Sequence, residues 1–217
     1  MAKGNRGGHS ASGKGFQLQK GSGGNLQPLN VAGMTRGVNG GSLRYVSTEE
    51  TLRQYESSKL NKPNEQLAIL DDNGFITKAY EGDKHSVGYI GSETTGKVVT
   101  HNHPDKYGGT FSEADVAGFL EFNQKEIRAS AKEGTYSLRE TRKGSGQKDA
   151  LNKAYAKAQS SLYKKAESAL LKVKNSGGSK TAQRKAYVDV YHNWYKDNFS
   201  KYGYTYTFTK NKGYKVK

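Results

Sequence analysis

A change of apolar period along the chain constrains the fold more than any other feature. Between residues 67 and 139 apolar side chains come in short runs broken by turn residues, whereas from Leu151 onward they recur every three or four positions. Side chains alternate faces along a strand and return to one face about every 3.6 residues along a helix, so the first region predicts a sheet with short helices and the second a long helix. Leu67 to Asp71 and Phe75 to Tyr80 predict a hairpin about Asp72-Asn73-Gly74, because Asn-Gly tolerates the positive φ angles of a tight turn. Lys97 to Thr100 reads as a strand. Ser112 to Asn123 reads as a helix with Val116, Phe119 and Leu120 facing inward. Glu126 to Ala131 and Thr135 to Arg139 predict a second hairpin about Lys132-Glu133-Gly134, although the first of these segments also suits a continuing helix. Leu151, Tyr155, Ala158, Leu162, Ala166, Leu170 and Val173 predict an amphipathic helix of about 28 residues. A second helix over Thr181 to Phe199, with Tyr187, Tyr191 and Trp194 on one stripe, follows the breaker Ser176-Gly177-Gly178-Ser179, which predicts an antiparallel helical hairpin. Tyr204 to Phe208 alternates like a terminal strand that adds to the sheet.

Not all 217 residues can be packed core, since 33% are hydrophobic and the mean hydropathy is −0.91. Residues 1–44 hold 12 Gly and few large apolar side chains, so they are expected to form a flexible tail. Three regions follow: a basic Gly-rich tail over 1–44, an α/β domain over 45–143, and a basic helical hairpin with a terminal strand over 144–217. Charge is divided in the same way, with +6 over residues 1–45, −5 over 46–140 and +14 over 141–217. The basic flanks favour polyanions such as nucleic acid, or serve solubility. The chain has no cysteine, which excludes disulfides and thiol nucleophiles and leaves His and carboxylate as the zinc-ligand types. No apolar run approaches the roughly 20 residues that span a membrane, and the basic start carries no apolar signal core, so a cytoplasmic location is expected, with no membrane partner.

The chemistry concentrates in Thr100-His101-Asn102-His103-Pro104, followed by Phe111-Ser112-Glu113-Ala114-Asp115. On an extended strand His101 and His103 project from one face about 7 Å apart, as two ligands of one metal ion require. Pro104 cannot donate a ladder hydrogen bond and ends the strand. A hydrolytic zinc site takes three protein ligands and keeps a position open for water, and Asp115 supplies a third ligand. Each residue has an ordinary structural role as well. His-x-His can be two solvated imidazoles, and Ser112 with Asp115 is a helix N-cap with a first-turn acid. His85 and His192 match no motif and suit surface or packing positions, and His9 lies in the tail.

His-x-His-Pro, a short loop and Ser-x-x-Asp resemble the signature of the JAMM (MPN/JAB) metalloproteases. The string His-Asn-His-Pro is similar to the RadC branch and to JAMM-like segments of phage head-morphogenesis proteins and bacterial toxins. The resemblance covers about residues 46–140. It implies a JAMM-like, cytidine-deaminase-like mixed sheet flanked by helices, and a zinc-dependent hydrolase cutting a peptide or isopeptide bond in a protein or peptide substrate. A phage or mobile-element setting is also implied, in the host cytoplasm or a virion. His101, His103 and Asp115 would bind zinc, and Ser112 would polarise the substrate carbonyl. Eight residues separate His103 from Ser112 where the family usually has seven, and Gly108 and Gly109 give the loop freedom to absorb one more. The family also places a general-base Glu at the start of a strand just after the first helix. Ser47-Thr48-Glu49-Glu50 reads as a capped helix start with Leu52, Tyr55 and Leu60 as its apolar stripe, and Glu65 precedes the strand candidate that follows. Glu65 is therefore the expected base, with Glu81 as its competitor. The alternative function is a non-catalytic RadC-like or phage structural protein whose basic flanks bind DNA.

Overall fold

The structure, a computed structural model, describes residues 48–104 and 109–211. The expected tail over 1–44, Ser47 of the helix start and Gly108 of the loop lie outside these residues. The fold is α/β: one mixed six-stranded sheet flanked by helices. In chain order the elements are α1 (Thr48–Lys59), β1 (Gln66–Leu70), β2 (Ile76–Glu81), β3 (Val98–Asn102), α2 (Glu113–Glu121), β4 (Glu126–Ala131), β5 (Gly134–Glu140), α3 (Lys148–Asn175), α4 (Lys180–Asn198) and β6 (Tyr204–Lys210). The sheet order is β2-β1-β3-β4-β5-β6, and only the β3–β4 pair is parallel. That crossover carries α2.

Both expected hairpins form. Gly74 at φ +80° closes the first, and Glu126–Ala131 is strand rather than helix because every residue pairs with β5 and Glu126 to Ser130 pair with β3 as well. Strand β3 runs two residues beyond its expected end, to Asn102, so His101 sits inside the ladder between Leu67 and Ala129. Only His103 stands at the mouth. A short 3-10 turn at Gly91–Thr94 has no apolar period and is not apparent from the sequence.

Alternation along the strands divides the core. Ala68, Leu70, Ile76 and Val98 face α1 and pack on Leu52 and Tyr55, while Leu67, Ile69, Tyr80 and Val99 face the opposite side. The α1 face of β4 is polar. There Arg128 reaches Glu56 (2.6 Å), Glu126 (3.1 Å) and Glu49 (3.2 Å), and Glu56 also accepts from Thr100 (3.0 Å). On the other face Phe111, Phe119, Leu138, Leu151, Tyr195 and Phe199 belong to one buried cluster, so α2, α3 and α4 share a single core with β4 and β5. Helices α3 and α4 form the expected antiparallel hairpin, which lies on the sheet. Tyr187, Tyr191 and Trp194 of the expected stripe are half-buried, Tyr155 and Tyr195 beside them are buried packing residues, and His192 bonds the Tyr206 hydroxyl (2.8 Å) against Tyr136.

Candidate metal centre

The antiparallel register of β1 on β3 pairs Leu67 with His101. Continued by two residues, it sets Glu65 opposite His103. Asn102, whose side chain projects to the other face from the two histidines, locks this arrangement. Its Oδ1 accepts from Gln66 N (2.7 Å) and its Nδ2 donates to Asn64 O (3.2 Å), clasping the segment that carries Glu65. The ladder to β2 is prolonged on the far side, where Glu65 N donates to Asp83 O (2.7 Å) and Gly82 N to Glu65 O (2.8 Å). His103 N donates to Ser130 O (2.8 Å), so β4 holds the strand's last turn as well.

Asp115 arrives from the first turn of α2 through a capping box. Ser112 Oγ accepts from Asp115 N (3.2 Å) while Asp115 Oδ2 accepts from Ser112 N (2.6 Å), which fixes the carboxylate's orientation. Its Oδ1 lies 3.1 Å from His101 Nε2 and its Oδ2 lies 3.6 Å from His103 Nε2, and the two Nε2 atoms are 3.0 Å apart. Donors bound at 2.0–2.1 Å on tetrahedral vertices stand about 3.3 Å from one another, so these separations bracket what one small divalent ion requires. Two nitrogens and one oxygen with no thiolate form a borderline donor set that suits a first-row divalent ion. Among the described residues His101, His103 and Asp115 are the group that could hold a metal ion.

The electrostatics follow from burial. Desolvation alone would push the Asp115 carboxyl up, but His101 and His103 beside it hold it well below the usual carboxylate range. For Glu65 burial wins. It pushes the carboxyl up to about 7, against the pull of His103 and with the help of Asp115 and Asp83. Glu65, His103 and Ser112 line a cleft of about 900 Å³. Glu81 instead accepts from Asn64 Nδ2 (3.3 Å) and acts on Tyr55 beneath α1, and it does not line the cleft. Ser112 is exposed, and since its Oγ accepts from the helix, its hydroxyl proton is left to donate. His85, with no motif in the sequence, lies on the cleft rim.

Glu133 is the residue that sequence reasoning missed. It lies in the turn between β4 and β5, where its Oε1 accepts from Gly109 N (2.7 Å) and the Tyr136 hydroxyl (3.0 Å). A Cβ on Gly109 would lie 2.9 Å from His103 Nδ1, so the bare backbone packs against the imidazole and Glu133 holds it there. Glu133 Oε2 is buried without a partner, and burial pushes this carboxyl up. A turn glutamate in Lys-Glu-Gly looks like a solvated residue in sequence, because the loop it grips is 24 positions away.

No family model, curated protein or solved structure matches the chain. No helix among the described residues is long and apolar enough to cross a membrane.

Proposed function

We propose that the protein is a zinc-dependent hydrolase of JAMM type that cleaves a peptide or isopeptide bond. The observation that carries this is the convergence of His101, His103 and Asp115 within 4.8 Å beside a half-buried carboxylate, Glu65, which lines the adjoining cleft and whose proton affinity lies near neutrality. His101 and His103 offer Nε2 and Asp115 offers its carboxylate. When bound, zinc supplies Lewis acidity, which acidifies water and polarises a carbonyl. Glu65 takes the proton of the attacking water and passes it to the leaving amine, a role that works best with a pKa near the operating pH. Ser112 donates its hydroxyl proton to the carbonyl oxygen as negative charge develops there, a contact worth about 3 kcal/mol in comparable sites. The mixed sheet with α2 in its parallel crossover supports a JAMM-like, cytidine-deaminase-like core over residues 46–140.

The test is zinc content and peptide hydrolysis measured together. Wild type is expected to hold about one zinc, His101→Ala with His103→Ala none, and Glu65→Gln one zinc with hydrolysis down at least 100-fold. Wild type without zinc, or Glu65→Gln with full activity, would sink the proposal. One observation favours a second reading, nucleic-acid association. Lys153, Lys157 and Lys164 stand exposed on the side of α3 turned away from the core. A steep fall of DNA affinity with salt would support it.

A further inference from the structure

The C-terminal hairpin does more than brace the sheet, because it forms one wall of the cleft that reaches the candidate metal centre at His103. Tyr155, Gln159 and Tyr163 of α3 line this cleft at spacings of four, and adjacent Tyr187 and Val188 of α4 line it with Tyr191, which lies four and three residues on from them. Each set is therefore a single helical stripe. At the first end Tyr155 meets Trp194 and Tyr195 of α4, with ring centroids 5.3 and 5.9 Å apart, whereas Tyr163 lies two turns of α3 nearer the hairpin tip. The first end adjoins the metal centre: the Tyr155 hydroxyl contacts that of Tyr195 (2.9 Å), which donates to Phe111 O (3.1 Å), one residue before Ser112. Eight residues of α helix separate Tyr155 from Tyr163, a rise of about 12 Å, which equals three to four residues of extended peptide.

The walls also differ in chemistry. The sheet side carries Glu65, His103 and Ser112, whereas the hairpin side presents four tyrosines, with the Tyr187 and Tyr191 rings tilted against each other at 5.6 Å and the Arg184 guanidinium 5.3 Å from the Tyr187 ring. Tyr163 at the far end is 55% exposed although it is a large apolar ring. Tyrosine rings bury area at low entropy cost and keep a hydroxyl for a peptide backbone, so such a track suits an unfolded chain with an apolar anchor better than a folded surface.

Building on the hydrolase reading, we propose that the substrate is an extended peptide segment bearing an aromatic or large aliphatic side chain three to four residues from the scissile bond, which the tyrosine track of α3 and α4 recognises.

Binding to Glu65→Gln protein, with and without added zinc, tests this by fluorescence anisotropy. The probes are a labelled octapeptide with Phe three residues to either side of its central bond, its Gly counterpart, and a single-stranded eight-nucleotide DNA. The Phe peptide is expected to bind at least tenfold tighter than the Gly peptide. Tyr163→Ala and Tyr187→Ala, made separately, are expected to reduce that preference below threefold while zinc content and Tm stay at the parent's values. Exposed Tyr163 can be truncated without opening the core, which keeps the experiment decisive if the Tyr187 variant misfolds. A preference that persists in protein holding no zinc upholds the track while the hydrolase reading falls. Equal binding of the two peptides, an undiminished preference in the Tyr163 variant, or DNA that outcompetes the Phe peptide overturns the proposal.

Discussion

At the scale of single residues, the candidate centre is governed by which carboxylates are desolvated and which are matched by neighbours. Glu65 and Asp115 face the same His103, yet burial wins at one and the imidazoles at the other. Folding raises the Glu65 pKa from 4.5 to about 7, so folding favours its protonated form. Its contribution to stability is therefore full below about pH 4.5 and is lost as the pH rises through 7. In metal-stripped protein, urea unfolding of wild type against Glu65→Gln is expected to show wild type losing about 3 kcal/mol at most relative to the variant between pH 4.5 and 8. Equal pH profiles would contradict the burial argument. Glu133 acts on His103 through the Gly109 backbone. Glu133→Leu is expected to weaken zinc binding by about 10- to 100-fold in competition with a chelator, and Glu133→Gln, which keeps an acceptor for Gly109 N, is expected to restore most of it.

At the scale of elements, β3 is a strand with two functional faces. His101 projects toward His103 and Asp115, and Thr100 and Asn102 project toward the α1 side, where Asn102 clasps the Glu65 segment and Thr100 joins the Glu56–Arg128 network. Arg128 is the cation that three glutamates of that network share, and the Glu56 side chain is only 7% exposed. Removing the cation would leave Glu56 charged and buried. Arg128→Ala is expected to cost about 3–5 kcal/mol in equilibrium urea unfolding, whereas a change at exposed Lys125, which pairs with Asp72 in solvent, is expected to cost under about 1 kcal/mol. Comparable losses for the two variants would show that the network is not desolvated.

At the scale of the whole molecule, residues 144–211 are continuous with the α/β unit. Leu151, Leu162, Tyr195, Phe199 and Tyr204 bury the same cluster that contains Phe111, Phe119 and Tyr136, and β6 covers the free edge of β5. Truncation after residue 143 is expected to abolish the cooperative thermal transition and the near-UV circular dichroism, since it uncovers that apolar face. A soluble fragment with a sharp transition would contradict the shared core. What the sequence determined by itself is local. The strand and helix periods, the Asn73-Gly74 turn, the His-x-His facing and the Ser112–Asp115 cap each depend on residues within one turn or one strand, where period and cap chemistry act directly. Only the tertiary structure decided the rest. It set Glu65 rather than Glu81 against His103 through a strand register, tied Glu133 to the Gly109 loop, and turned the tyrosines of the hairpin into core on one side and cleft wall on the other. Those outcomes depend on pairings between residues tens of positions apart, and no local period encodes which strand lies next to which.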